Sequence, residues 1–168
     1  MKTLILSAAL TSTLALTGAA HADKMMVKDI DVMTDMAAIE NAKAAGVWKT
    51  VDGTLEEALL ARLTDRISDK GAIITIDIDE VSLANNFEIA NNLADSTLKG
   101  WVKIERTYDE KGEVVELPEE LYELSVTALE AKAYYPEGTD METVKVNSDV
   151  FYTAMIAAFA DNVVEKLQ

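Results

Sequence analysis

Thr54-Leu-Glu-Glu-Ala-Leu-Leu-Ala-Arg-Leu-Thr-Asp-Arg-Ile-Ser-Asp69, then Lys70-Gly71, then Ala72-Ile-Ile-Thr-Ile-Asp-Ile-Asp-Glu-Val81 is the stretch that decides the fold, because the hydrophobic period changes inside it. Leu55, Leu59, Leu63 and Ile67, with Leu60 beside them, recur at helical spacing and define an apolar stripe. Thr54 with Glu57 three residues later has the form of a capping box, so the spacing predicts a helix over 54–69 that Gly71 closes. From Ala72 the residues are β-branched and alternate, which predicts a strand with Ile74, Ile76 and Ile78 on its buried face.

Working outward, Val27, Asp29, Asp31 and Met33 alternate with Lys28, Ile30 and Val32, as in a first strand ending near Thr34. A short Ala-rich helix over 36–45, closed by Gly46, is expected next, followed by an extended segment and turn over 47–53. The Asn-rich stretch 85–96 reads as a connection. Leu98, Gly100, Val102 and Ile104 mark another strand, with a turn over 109–112 leading into 113–117. Pro118 is able to open a helix, but Tyr122, Leu124, Val126 and Ala128 alternate and favour a strand that ends in the loop 134–138. Asn147 or Ser148 caps a last helix whose buried stripe is Phe151, Met155, Ala158, Phe159, Val163 and Leu167. The expected fold class is α+β: a single-domain α/β sandwich, with a mostly antiparallel sheet of about four strands and helices on one face.

Lys2, the apolar run Thr3 to Leu16, Gly18 and the triplet Ala20-His21-Ala22 follow the order of a secretory signal peptide. The expected organisation is therefore a signal peptide over 1–22 and one domain over 23–168, periplasmic or secreted from a Gram-negative bacterium. The full chain of 168 residues has 15 Lys+Arg, 30 Asp+Glu, one His and no Cys. Cleavage after Ala22 removes Lys2 and His21, so 14 basic residues face 30 acidic ones at a net charge of −16. A chain this acidic is unsuited to nucleic acid or to an anionic membrane surface, both of which need Lys/Arg clusters. The charge reads first as a well-solvated surface and second as an acidic docking site for a basic partner.

Without His or Cys the mature chain cannot form a Ser-His-Asp triad, a thiol nucleophile or a Cys/His zinc site. Paired carboxylates for glycoside hydrolysis lack a clustered aromatic lining, and no phosphate-binding glycine loop is present. Asp77 and Asp79, two apart on a strand, are the candidate metal ligands, because side chains at that spacing share a face and could grip calcium. A calcium loop begun at Asp77 would use Asn85 and Glu88 as well, but has Ser82 where a turn glycine belongs. The competing reading makes Asp77, Asp79, Asp29 and Asp31 the wet face of a half-exposed sheet. Met25, Met26, Met33 and Met36 suit Cu(I) in type, though core filling accounts for methionine more often. The acidic run 109–123 reads as a solvated edge hairpin to which Arg62 and Arg66 could present a cationic edge. No cofactor is expected.

The helix Leu55-Glu-Glu-Ala-Leu-Leu-Ala-Arg-Leu63, the strand Ile73-Ile-Thr-Ile-Asp-Ile-Asp79 after Gly71, and the late helix Tyr152-Thr-Ala-Met-Ile-Ala-Ala-Phe-Ala-Asp161 resemble small α/β envelope proteins of Gram-negative bacteria. These include auxiliary lipoproteins of transport systems and uncharacterised secreted families. The resemblance is one of pattern over 25–168, lacks the lipidation Cys, and transfers no functional residue. It implies a non-catalytic accessory or binding protein that works through a surface, with an envelope protein partner or as a homo-oligomer. The alternative is a calcium-binding protein using Asp77 and Asp79.

Overall fold

The computed structural model describes residues 24–79, 82, 96–108, 111, 113–115, 117–140 and 142–167. The segment 1–22, nearly all of the connection 85–96 and most of the turn 109–112 lie outside these residues. Four strands form one sheet in the order β1 (Val27–Met33), β2 (Ala72–Ile78), β3 (Thr97–Glu105), β4 (Glu120–Thr127). β1 and β2 are parallel, and the β2–β3 and β3–β4 pairs are antiparallel. Among the described residues, helices α1 (Ala42–Trp48), α2 (Val51–Arg62) and α3 (Asp149–Lys166) accompany the sheet. The chain is thus an α+β domain with a mostly antiparallel sheet.

Alternation assigns the two faces of the sheet. Ile74, Ile76 and Ile78 of β2, Leu98, Val102 and Ile104 of β3, and Leu124 and Val126 of β4 are buried. They pack with Leu55, Leu59 and Leu63 and with Phe151, Met155, Phe159 and Val163 in one core. A register shift between Val27 and Asp29 buries Val27 as well as Val32, although their numbers differ in parity. On β3, Gly100 is the notch in this layer: an added Cβ would lie 2.9 Å from the Asp77 carbonyl oxygen and 3.4 Å from the Phe159 ring.

The helical layer starts earlier than the spacing around Thr54 suggests. Instead of one helix over 36–45, a 3-10 turn spans Met36–Ala38, and Asn41 then caps α1 by accepting the Lys43 and Ala44 N–H groups at 3.0 and 3.2 Å. Gly46 lies within α1, and 47–53 is mostly helical rather than extended, because Trp48 and Val51 carry the buried stripe from Ala44 toward Leu55. Thr54 is inside α2, its N–H bonded to the Thr50 carbonyl at 2.9 Å, so it caps nothing. The helix ends at Arg62 rather than near Asp69; Ile67 is left 47% exposed and makes an isolated parallel bridge to Val27. Gly71 closes no helix: it lets β1 cross against it.

Two arginines act within the fold and present no cationic edge. Arg62 pairs with Asp161 and donates to the carbonyl oxygens of Ala58 at 2.8 Å and Ala157 at 3.3 Å, joining α2 to α3. Burial raises the pKa of Asp161, but hydrogen bonds from Arg62 and Tyr134 outweigh it and hold the carboxyl below its ordinary value. Arg66, 5% exposed, donates to the Met25 carbonyl at 2.9 and 2.6 Å and to the Leu167 carbonyl at 2.7 Å. The Met25 N–H also reaches the Leu167 carbonyl, at 3.2 Å. The start of β1 and the end of α3 are thereby held by one guanidinium.

A reciprocal cap follows β4. Glu130 accepts from the Thr127 N–H at 2.7 Å and the Thr127 hydroxyl at 2.8 Å, while Thr127 Oγ1 accepts the Glu130 N–H at 3.2 Å. The backbone hydrogen bond first, and the hydroxyl second, lower the Glu130 pKa below its ordinary 4.5. A lowered folded-state pKa contributes stability above the ordinary carboxylate range that is lost as the pH falls through the lowered value. The stability difference between wild type and Glu130→Gln is therefore expected to shrink from about pH 6 toward about pH 3. Denaturant titrations showing a constant or growing difference would refute the cap's charge dependence.

Candidate functional site

The face of the sheet away from the helices is built by the opposite parity. Register aligns Asp31, Thr75, Lys103 and Leu121 in one row and Met33, Asp77, Trp101 and Glu123 in the next. Because paired residues point to one side, these side chains share a surface. Trp101 is 50% exposed on an interior strand, with Met33 45% and Leu121 63% exposed. Neighbouring strands lie about 4.8 Å apart, so the three apolar groups span a band of roughly 15 Å across the sheet.

Charge surrounds this band. Asp77 and Glu123 pair with Trp101 from either side, and Lys99 and Lys103 stand two positions away from it along β3. Lys103 is occupied by Glu105 at 3.2 Å and Glu119 at 3.4 Å, and its hydrogen bond with Glu105, ahead of a smaller opposing effect of burial, raises its pKa. Asp29 and Asp31 line the β1 side. Arg106 pairs with Glu120 at the β4 margin. Trp101 and Leu121 are thus adjacent apolar groups flanked by carboxylates, with Asp77 standing between Trp101 and Met33.

Both edges of the sheet carry side-chain caps. Glu56 of α2 accepts the Val32 N–H of β1 at 3.1 Å, and Glu130 takes the last N–H of β4. Such contacts blunt the edges against strand addition at those positions.

Asp77 and Asp79 have separate positions. Asp77 is within β2 on the open face, whereas Asp79 lies beyond the strand's last residue, Ile78. The Asp79 carboxylate accepts the Ser82 N–H at 3.1 Å, the Ser82 hydroxyl donates to the Asp79 carbonyl at 2.7 Å, and the Lys99 N–H reaches that hydroxyl at 3.3 Å. Asp79 thus ends the strand in a local turn. No third His, Cys, Asp or Glu joins either residue in a metal-sized cluster among the described residues; Asn85 and Glu88 lie outside them. Calcium chloride and sodium chloride at matched ionic strength are expected to shift the melting curve equally. A saturable extra gain from calcium, lost on combining Asp77→Asn with Asp79→Asn, would assign a cation site there.

The methionines divide between environments. Met25 and Met36 pack partly buried against the core, and Met26 and Met33 are exposed. A polar cleft of about 310 Å³ opens between the α1–α2 junction and the start of α3, lined by Gly46, Lys49, Thr50, Asn147, Asp149 and Tyr152 among others. Tyr152 stacks tilted on Trp48 at 5.1 Å, and its hydroxyl lies 3.5 Å from Thr50 Oγ1. The sequence reading assigned neither Trp101 nor Leu121 to a site. The signal was present: Lys99, Trp101, Lys103 and Glu105 alternate with the buried Leu98, Gly100, Val102 and Ile104, so Trp101 occupies the wet parity between Lys99 and Lys103.

No protein-family model matches the chain, and no curated protein matches it. Among solved structures, a candidate lipoprotein from Caulobacter crescentus is similar at 15% identity, over 82% of this chain and 86% of that one, with a TM-score of 0.34. No helix among the described residues is long and apolar enough to cross a membrane.

Proposed function

We propose that this is a non-catalytic accessory protein of the bacterial envelope, periplasmic or secreted, that binds a protein partner through the open face of its sheet. The observation that carries this reading is Trp101, half-exposed on an interior strand between Met33 and Leu121. Single exposed apolar residues are ordinary on protein surfaces, but Trp101 and Leu121 stand on adjoining strands and rows of one face and together form a patch, with Met33 beyond Asp77. A buried Trp covers about 150–250 Å², so Trp101 has on the order of 100 Å² still to bury. At about 25 cal/mol per Å², that contact supplies roughly 2–3 kcal/mol, the size of an interface hot spot. The envelope address rests on the form of residues 1–22, and the non-catalytic character on the lack of His and Cys after Ala22.

A photo-reactive amino acid placed at Leu121 is expected to cross-link a discrete partner in envelope fractions, whereas the same group at Lys43 on the helical layer does not. The purified partner should then lose affinity for the Trp101→Ser variant. Cross-links from position 43 alone, or affinity unchanged by Trp101→Ser, would refute the reading.

A further inference from the structure

We infer that the open face reads an arginine of a basic partner, with Trp101 as the stacking surface and Asp77 and Glu123 as the flanking carboxylates; this rests on the docking role proposed above. The geometry is that of one register row. Asp77 pairs with Trp101 across β2–β3, and Glu123 pairs with Trp101 across β3–β4. Directly opposed residues have Cβ atoms about 4.5–5.5 Å apart, so both carboxylates stand beside the indole on the same side of the sheet. All three residues are exposed. A guanidinium laid on the ring gains the quadrupole attraction of the indole and reaches a carboxylate with its edge N–H groups.

Charge selects this occupant. The strand residues of the open face include Asp29, Asp31, Asp77, Glu105 and Glu123 against Lys99 and Lys103, and Lys103 already bridges Glu105 and Glu119. A second copy packed face to face would set like charges against each other around Trp101. Anionic lipid is repelled for the same reason. A divalent ion would gain from the carboxylates but has no use for the apolar band of Met33 and Leu121. An arginine fits both parts: its planar head stacks and forks, and its methylene stem covers apolar surface. Asp77 also has a contact of its own within the protein; it is exposed, and a carboxylate has about four acceptor positions to share.

The test uses the purified protein and a short synthetic peptide of alternating Arg and Leu, compared with the same peptide carrying citrulline at each Arg. Calorimetry measures affinity, and the Trp101 indole N–H resonance, assigned by its loss in Trp101→Ser, reports the site. The Arg peptide is expected to bind saturably and to shift that resonance. Combining Asp77→Asn with Glu123→Gln should weaken binding about tenfold or more, as should citrulline, each equivalent to at least about 1.4 kcal/mol. Trp101→Phe, which keeps an aromatic face, should retain more affinity than Trp101→Ser. The pair Asp29→Asn and Asp31→Asn removes the same charge from other rows and is expected to cost much less.

Equal losses from the two charge-matched pairs would mean diffuse attraction of a polycation, and would overturn the inference. Trp101-dependent binding of both peptides alike would overturn the reading of an arginine while leaving the docking face intact. Absence of saturable binding by the Arg peptide, or self-association of the protein with Trp101 covered, would also overturn it. Unchanged circular dichroism of each variant confirms that a lost affinity is not a lost fold.

Discussion

Gly71→Ala is expected to destabilise the protein by about 3–5 kcal/mol. A Cβ on Gly71 would lie 2.3 Å from the Val27 carbonyl carbon, 2.5 Å from the Val27 nitrogen and 2.5 Å from the Lys28 nitrogen. All three are backbone atoms, so no rotamer change relieves the clash, and the two segments must separate. Separation strains the hydrogen bonds that start the parallel pair: Ser68 N–H to the Val27 carbonyl and Ala72 N–H to the Met26 carbonyl, each at 2.8 Å. Overpacking costs about 1–3 kcal/mol, and each compromised hydrogen bond about 1 kcal/mol more. Domains are stable by about 5–15 kcal/mol, so this one methyl group removes a large share. Gly46→Ala is the control: nothing lies within 4 Å of its added Cβ, and a helical alanine there should gain up to about 1 kcal/mol. Urea unfolding that places both variants within error of wild type would mean that β1 does not cross Gly71 at this distance.

Arg66→Met should cost about 3–4 kcal/mol, with the loss concentrated where the start of β1 meets the end of α3. The methionine fills most of the volume but donates nothing, and the carbonyls of Met25 and Leu167 lose their charged donor. Hydrogen bonds to charged groups contribute about 1.5–3 kcal/mol each, and a buried acceptor left without a partner pays for its desolvation. Desolvation by burial lowers the Arg66 pKa, and Asp65 acts the other way. Hydrogen exchange at β1 and the last turn of α3 is expected to quicken together in this variant, ahead of exchange in β3. Exchange that quickens evenly through the sheet would show that the guanidinium does not hold those ends as a unit.

The strands were legible because period-two alternation survives into the fold. Ile74, Ile76 and Ile78 are buried, as are Leu98, Val102 and Ile104, and the ambiguous segment after Pro118 is a strand over Glu120–Thr127, as its alternation favoured, but gives way to a 3-10 helix over Glu130–Tyr134 before the expected loop. The helix starts were less legible. Thr54-x-x-Glu57 has the form of a capping box but lies within a helix, and Thr127-x-x-Glu130 has the same form and is the working reciprocal pair. Local chemistry cannot separate the two, because an N-cap needs non-helical backbone, which the surrounding packing decides. The apolar series Ala44, Trp48, Val51, Leu55, Leu59 and Leu63 runs through α1 and α2 at helical spacing, across Thr54, and that longer range carried the better signal. Trp101 was visible in the alternation of β3, but its neighbours Asp77 and Glu123 come from other strands and meet it only once register is set. Where β2 stops was not legible either: the alternation runs on through Asp79, whereas the strand ends at Ile78 and the Asp79 carboxylate accepts the Ser82 N–H.

The clasp at Arg66 also imposes an order in time. Synthesis delivers Met25 first, Arg66 next and Leu167 last, so the second acceptor of the guanidinium does not exist until the end of α3 has been made. β2, β3 and β4 form a meander of consecutive antiparallel neighbours that can assemble as it emerges, but β1 joins its edge in parallel across an intervening helical pair. The earliest strand to appear is therefore the one whose anchoring is completed last. Until then the emerging polypeptide carries a sheet edge that is paired but not locked, and the final residues of α3 act as the bolt.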